Sequence, residues 1–441
     1  MKVCRRWRYL ILGSASHLGL CLVCSPATPV AEMLAHSPPL PLIINYNHNN
    51  HDLTPEDERG IMFALEHRDR VRRVYLRMPV PSLQKVVKAM DELFPMLEYL
   101  YIAPPTIHNA HLVLPTTFRA PQLNYLMLNH FGSPIGSLLL PTAVTLVTLS
   151  LQWVHPSTNL YPNHLFQALS LLPQLQDFTI SLSPHVPNRE IERHMLRMPI
   201  VTHTTFPHLR IFDFVGVSAY LEALLSHINA PLLEMLSVSF FNQLRFSVPH
   251  LGQFVTPTEI LRPSRVKFLF HHKAVVMFIY LPVTALVHSY NIGVGCEHLD
   301  WQVSSMAQIS DVLSPLLFTA VDLTLDYRSH TLSSWWHNQA DRTQWRKLLG
   351  SFRHVQTLRV HDGLVGEVSR CLALDGEPAL EILPELKAFV CPMGSRGDKT
   401  LATFLNDREV AGLPIDLIED AFPVGEFEYK FETPAGTYYV D

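Results

Sequence analysis

Six times in this chain an apolar residue, a proline, any residue and a leucine lead straight into a short stretch of alternating apolar residues. Phe94-Pro95-Met96-Leu97 precedes EYLYI, Ala120-Pro121-Gln122-Leu123 precedes NYLML, and Leu172-Pro173-Gln174-Leu175 precedes QDFTI. Phe206-Pro207-His208-Leu209 precedes RIFDF, Ala230-Pro231-Leu232-Leu233 precedes EMLSV, and Leu383-Pro384-Glu385-Leu386 precedes KAFVC. All six fit L-x-x-L-x-L with apolar substitutes. So do four stretches without the proline: Val71-Val74-Leu76, Leu146-Leu149-Leu151, Ala320-Leu323-Leu325 and Val355-Leu358-Val360. A proline cannot continue a helix and pushes the residue before it toward extended geometry. It is therefore expected to end one element just before the next begins.

The first positions recur every 23 to 34 residues from Val71 to Leu233, and at 31 to 35 residues from Ala320 to Leu386. Self-similarity of this kind is what leucine-rich repeats show, and the longer spacers leave room for a full helix. The expected fold class is α/β: a leucine-rich-repeat-like curved solenoid, with a parallel sheet on the concave side and helices on the convex side. An ordinary doubly wound α/β domain would also have apolar parallel strands. Against it stand the self-similar core and the lack of a Gly-rich phosphate turn after an early strand.

Helical spacing fills the intervals. It appears in 55–69, with Thr54 as N-cap, in 81–94, where Leu83, Val86, Val87, Met90, Leu93 and Phe94 form one stripe, and in 163–172, 219–228, 306–317 and 341–352. Residues 240–305 break the rhythm. VKFLFHH, VVMFIY and ALVHSYNIGVG are expected to be consecutive, partly antiparallel strands, after which HLDWQV resumes a repeat-like strand. The organisation expected is a solenoid over 18–393 with an irregular strand insert at about 240–295, preceded by a separate N-terminal segment over 1–17. A C-terminal cap or extension over 394–441 follows, with a terminal hairpin around Pro434-Ala435-Gly436.

Composition narrows the function. A net charge of −5 over 441 residues gives no basic face for nucleic acid. The six cysteines are too few and too dispersed for a disulfide framework, which points to a reducing compartment, cytoplasmic or nuclear. Cys21 and Cys24 are expected to be core thiols on an early strand. The basic, then apolar, then small-residue outline of the first 31 residues leaves secretion as the alternative. AVVMFIYLPVTALV, 274–287, is too short for a membrane span and Pro282 splits it.

No G-x-S-x-G, P-loop or H-E-x-x-H occurs, and the expectation is a protein that is not an enzyme and needs no metal or cofactor. His271-His272-Lys273 is expected at a turn or surface. His48, His51 and Asp52 suit a polar loop, Trp335 and Trp336 a loop cover, and Trp345 the core beside Leu348 and Leu349. Strand geometry is more informative. Leucines at i, i+3 and i+5 point inward, so i+2, i+4 and i+6 lie on the opposite, concave face. That face would carry Arg73, Tyr75, Arg77, Tyr99, Tyr101, Tyr125, Met127, Asn129, Thr148, Ser150, Gln152, Asp177, Thr179 and Asp213, then Asp322, Asp326, Arg359 and His361. Tyr, Met and Arg are enriched at protein interfaces, so this face is the expected partner-binding surface.

At the N-terminus VCRRWRYLI, Val3 to Ile11, resembles the last helix of an F-box, and the resemblance implies that 1–17 is a remnant of that helix. ATPVAEMLAHSPPLPLIINY (27–46), LTPEDERGIMFALEHRDRVRRVYLRMPVPSLQKV (53–86), FPMLEYLYI (94–102), AVTLVTLSLQWVHPS (143–157), VPNREIERHML (186–196), CEHLDWQV (296–303) and ADRTQWRKLL (340–349) extend the resemblance over most of the chain. Together they are similar to a family of F-box-like leucine-rich-repeat proteins abundant in basidiomycete fungi. The resemblance implies a substrate-recognition subunit of a cullin ubiquitin ligase. An adaptor of the Skp type would dock on the F-box, here through Val3, Cys4, Trp7 and Leu10, and the repeats would hold a protein target. The leading Leu-Pro and central helix of an F-box are not in this sequence. The alternative is therefore a partner-binding repeat scaffold with no ligase role.

Overall fold

The computed structural model describes residues 20–47, 53–105, 112–131, 139–154, 160–183, 203–241, 243, 245–255, 262–281, 289–328, 342–373, 382–420, 429–433 and 436–440. Contacts divide the chain into two compact units. The first comprises Met1–His185, Arg197–Phe212 and Ala230–Leu232, and the second comprises Val186–Leu196, Asp213–Asn229 and Leu233–Asp441.

In the first unit, strands β1 (Leu22–Cys24), β2 (Leu42–Asn47), β3 (Val71–Arg77), β4 (Tyr99–Ala103), β5 (Tyr125–Asn129), β6 (Thr148–Val154) and β7 (Asp177–Leu182) lie side by side in chain order. Every pair is parallel. Helices Val30–His36, Pro55–Glu66, Val80–Ala89 and Pro162–Leu169 fall between successive strands. Parallel neighbours require such crossovers. The inward positions form continuous ladders. Ile44, Val74, Leu100, Leu126, Leu149 and Phe178 make one, and Tyr46, Leu76, Ile102, Leu128, Leu151 and Ile180 the next, all buried. Leu126 and Leu149, inward by strand spacing, are fully buried.

The prolines do something other than end helices. Helix Pro162–Leu169 stops before Pro173, and helix Val80–Ala89 stops well before Pro95. Five of the six prolines instead occupy the second position of a hydrogen-bonded β-turn. The amides of Leu97, Leu123, Leu175, Leu209 and Leu386 donate to the carbonyls of Phe94, Ala120, Leu172, Phe206 and Leu383 at 3.1–3.4 Å. The fixed φ of proline suits that position, and the turn folds the apolar residues on either side of it into the core. The helical stripe expected over 81–94 is shortened accordingly. Leu93 is 49 % exposed and Phe94 reaches the core from the turn.

A second backbone device repeats with the turns. The carbonyl just after each first leucine accepts from two successive amides of the next repeat. Glu98 accepts from Asn124 and Tyr125, Asn124 from Val147 and Thr148, Val147 from Gln176 and Asp177, and Gln176 from Arg210 and Ile211, all at 2.8–3.1 Å. The second unit repeats it at Ser264, Val321 and Gln356.

Thr54 caps helix Pro55–Glu66 through a capping box with Asp57, as its spacing predicts. Asp57 Oδ1 also accepts from the amide of Ala27 at 2.9 Å, which holds a turn where Ala27 has φ 61°. Nearby, the hydroxyl of Tyr46 is buried with no hydrogen-bond partner, and burial with the Asp57 carboxylate holds its pKa far above the ordinary phenol range. An orphaned buried hydroxyl is a cost, so Tyr46→Phe is expected to leave stability unchanged or raise it by about 1 kcal/mol. A lower denaturant midpoint for that variant would contradict the assignment.

Strands β8 (Thr204–Thr205) and β9 (Ile211–Gly216) follow, and β10 (Ile228–Asn229) precedes the second unit's main sheet. That sheet holds β11 (Met235–Phe240), β12 (Arg265–His271), β13 (Ala274–Tyr280), β14 (Ser289–Gly295), β15 (Asp322–Arg328), β16 (Thr357–Val360), β17 (Ala388–Pro392) and β18 (Asp416–Asp420). Their spatial order is β11-β14-β13-β12-β15-β16-β17-β18. Only β13 runs antiparallel to its neighbours; as a result β14 is parallel to β11, and β12 to β15. The partly antiparallel strands expected here are present, and His272-Lys273 form the turn between β12 and β13. Strand–helix alternation continues past residue 394 through helix Lys399–Val410 to β18, and β19 (Tyr429–Thr433) and β20 (Gly436–Val440) form the terminal hairpin.

HLDWQV is not a strand. It is the first part of helix Leu299–Val312. Six residues fit a period of two by chance, whereas Leu299, Val303, Met306, Ala307 and Ser310 are buried at helical spacing and Trp301 is 46 % exposed. Gln302, fully buried, ties this helix to the hairpin by donating to the carbonyls of His271 at 2.7 Å and Cys296 at 2.8 Å.

Candidate functional site

In the first unit, the sheet face opposite the leucine ladders carries three rows of side chains fixed by strand register. The first row is Ile43, Arg73, Tyr99, Tyr125, Thr148 and Asp177. Asn45, Tyr75, Tyr101, Met127, Ser150 and Thr179 form the second. The third includes Asn47, Arg77 and Ala103, then Asn129 and Gln152. Parallel strands about 4.8 Å apart place equivalent residues at stacking distance. The sequence repeats tyrosine at equivalent positions, so aromatic ladders follow.

Two stacked pairs result. Tyr99 and Tyr125 lie with centroids 4.3 Å apart and planes 8° from parallel, and Tyr75 and Tyr101 are 4.3 Å apart at 11°. The Arg73 guanidinium sits 5.8 Å from the centroid of Tyr99. The Tyr125 hydroxyl donates to Met127 Sδ at 3.9 Å, and the Thr148 hydroxyl donates to Asp177 at 3.2 Å. All four tyrosines and Met127 are half-buried, while Ser150 is buried. Because the ring faces press on one another, the platform presents ring edges and hydroxyls outward.

Partial burial and then the neighbouring Tyr125 push the Tyr99 hydroxyl up to about 12, and burial likewise raises Tyr101 and Tyr125. The linkage has a definite sign. Below pH 10 Tyr99 is neutral in both folded and unfolded chains. Between pH 10 and about 12 the unfolded chain ionises first, so stability falls as pH rises through that window. An absorbance titration of phenolate is expected to show a late-ionising class that Tyr99→Phe diminishes. Identical titration curves for the two proteins would contradict the packing.

The second unit receives the remaining face residues. Asp213 lies half-buried on β9. Asp322 is flanked by Arg265 and Arg359, each at 3.6 Å, and Asp326 is paired with Lys267 at 2.7 Å. His361 lies one residue beyond β16, at the N-cap of helix Asp362–Leu372, and so is not a strand-face residue. Strand period carried one residue too far produces that displacement. Arg265, Lys267, Phe278, Tyr280 and Asn291 share this face but do not fit L-x-x-L-x-L. The alternation Val266, Phe268, Phe270 in β12 is the signal that would have placed the first two. Ile43, Asn45 and Asn47 escape the repeat pattern in the same way.

Val3, Cys4, Trp7 and Leu10 lie outside the described residues, as do His48, His51, Asp52, Trp335 and Trp336. Trp345 is fully buried and packs 5.6 Å from Phe270. Cys24 is buried at the end of β1, whereas Cys21 precedes the strand and is half-buried. Burial pushes the thiols of Cys24 up to about 11 and of Cys296 and Cys371 up to about 12, which suits core packing rather than nucleophilic attack. Among the described residues no group of three or more His, Cys, Asp or Glu could hold a metal ion, and no helix is long and apolar enough to cross a membrane.

Comparison with known proteins adds little to this geometry. No family model and no curated protein matches the chain. Among solved structures it is similar to the leucine-rich repeat-containing protein LegL7 from Legionella pneumophila, at 13 % identity and a TM-score of 0.25, over 89 % of this chain and 98 % of that one.

Proposed function

We propose that this chain is a non-enzymatic, partner-binding repeat scaffold whose first unit holds a protein target on its tyrosine face. In this reading the strands and outer helices of that unit form an arc of leucine-rich-repeat-like solenoid, and the tyrosine rows line its concave side. The observation that carries it is the pair of tyrosine stacks at 4.3 Å, projecting from a fully buried leucine ladder. Rigid aromatic side chains supply contact area at little entropic cost, and the ladder beneath fixes their positions before any partner arrives. Solenoid proteins use such extended surfaces for protein recognition.

A photo-crosslinking residue at Met127 tests the reading. It is expected to trap a protein in cells, while the same residue at Lys88, exposed on helix Val80–Ala89, traps none of it. Equal capture from both positions would remove the support for this face.

A narrower function, as the substrate-recognition arm of a cullin ubiquitin ligase, draws its support from the F-box-like run Val3 to Ile11. Co-purification of the full chain with a Skp-type adaptor is the expected result of that reading. Its failure would leave the scaffold without a ligase link.

A further inference from the structure

We propose that the tyrosine face of the first unit recognises an acidic peptide segment, whose carboxylates seat on Arg73 and Arg77. The proposal deepens the partner-binding reading above and rests on it. Both arginines project from β3 on the tyrosine-bearing face, one on each side of Tyr75. Arg73 is exposed against the ring of Tyr99. Arg77 is half-buried, and its Nε is shut off from water with no acceptor. A guanidinium offers only donors, so the rest of the Arg77 guanidinium has N–H groups for which the described residues supply no carboxylate.

These two cations stand apart from the other strand cations whose side chains are described. Arg72, between Val71 and Arg73, pairs with Glu98 at 2.8 Å. In the second unit Lys267 is matched by Asp326, and Arg265 and Arg359 share Asp322. Neither Arg73 nor Arg77 has a carboxylate partner among the described residues, in a chain whose net charge is −5. The unpaired positive charge thus falls at the end of the aromatic platform. A segment carrying Asp or Glu beside an apolar residue would meet Arg73 and Arg77 while its apolar part lies on the edges of Tyr75, Tyr99 and Tyr101. Single-stranded nucleic acid fits less well. Base stacking needs open ring faces, and here one face of each tyrosine is taken by its stacking partner and Arg73 lies over Tyr99.

The test pans a random octapeptide phage library against the full chain, against Arg73→Gln/Arg77→Gln and against Tyr99→Ala/Tyr101→Ala, each checked for native circular dichroism. The wild type is expected to enrich peptides rich in Asp and Glu, and the double-Gln variant is expected to lose that bias. A synthetic peptide from the enriched set is expected to bind the double-Gln variant about tenfold more weakly, and Arg73→Lys/Arg77→Lys to keep part of the affinity because the charge remains. Acidic peptides that bind the double-Gln variant as tightly as the wild type overturn the proposal. Peptides without acidic bias that lose binding only with the tyrosine pair overturn the charge assignment and leave the partner-binding reading standing. Recovery of no peptide that depends on either pair overturns both. Tighter binding of fluorescein-labelled oligouridine than of any selected peptide also overturns it.

Discussion

Alanine at both Tyr99 and Tyr101 is expected to weaken binding of the captured partner by about a hundredfold while leaving the fold intact. The two residues are neighbours by register with the tyrosines and arginine around them, and each takes part in a stack. Removing Tyr99 takes away the surface that Tyr125 and Arg73 pack against, and removing Tyr101 frees Tyr75. The two substitutions therefore remove two aromatic side chains and loosen two more, so a preorganised surface becomes one that must be ordered at binding. Stability should change little, because these rings are half-exposed and the leucine ladder lies on the other face. Thr324→Ala, on the same kind of face in the second unit, is the control and is expected to bind like the wild type. Calorimetric titration of the partner trapped at Met127 would decide it. A double alanine variant within about threefold of wild-type affinity would mean the tyrosines are not the contact surface.

The strand faces were readable because a strand has one strong rule. Leucine at i, i+3 and i+5 fixes which side chains point inward, and the sequence repeats that triplet often enough to reveal itself. Tyr99, Tyr101 and Tyr125 follow from the rule without any structural knowledge. Their pairing into two stacks does not. It depends on parallel register between strands separated by 26 residues, and the sequence does not state register. The shared carbonyls at Glu98, Asn124, Val147 and Gln176 were invisible for a stronger reason. They are backbone acceptors at a position with no side-chain requirement, so Glu, Asn, Val and Gln all serve.

Proline carried the right signal with the wrong mechanism attached. Pro95, Pro121 and Pro173 do mark the approach to a strand, but through a β-turn rather than the end of a helix. Both mechanisms use the same fixed φ, and local sequence does not separate them. HLDWQV failed for want of length. Only the continuation through Met306 and Ser310 shows the helical period, and Gln302, polar yet fully buried, has its two carbonyl partners outside the helix, at His271 and at Cys296.

Adjacent residues on β5 should give opposite phenotypes, and this contrast tests the face assignment most directly. Leu126→Ala is expected to destabilise the first unit by about 2–5 kcal/mol, lowering its melting temperature by on the order of 10 °C. Leu126 is fully buried between Leu100 and Leu149 in a ladder of parallel strands, so the missing side chain leaves a cavity that its neighbours, held at fixed strand spacing, cannot close. Tyr125→Ala, one residue earlier, removes a larger side chain from the opposite face. It is expected to cost about 1 kcal/mol or less, mainly the stack with Tyr99, while weakening partner binding. Alternation along a strand permits this inversion, in which the smaller deletion does the greater damage to the fold. Scanning calorimetry of the two variants reads it out. Similar melting temperatures for both, or a larger loss for Tyr125→Ala, would mean that β5 does not divide a core from a binding face, and the partner-binding reading would fall with it.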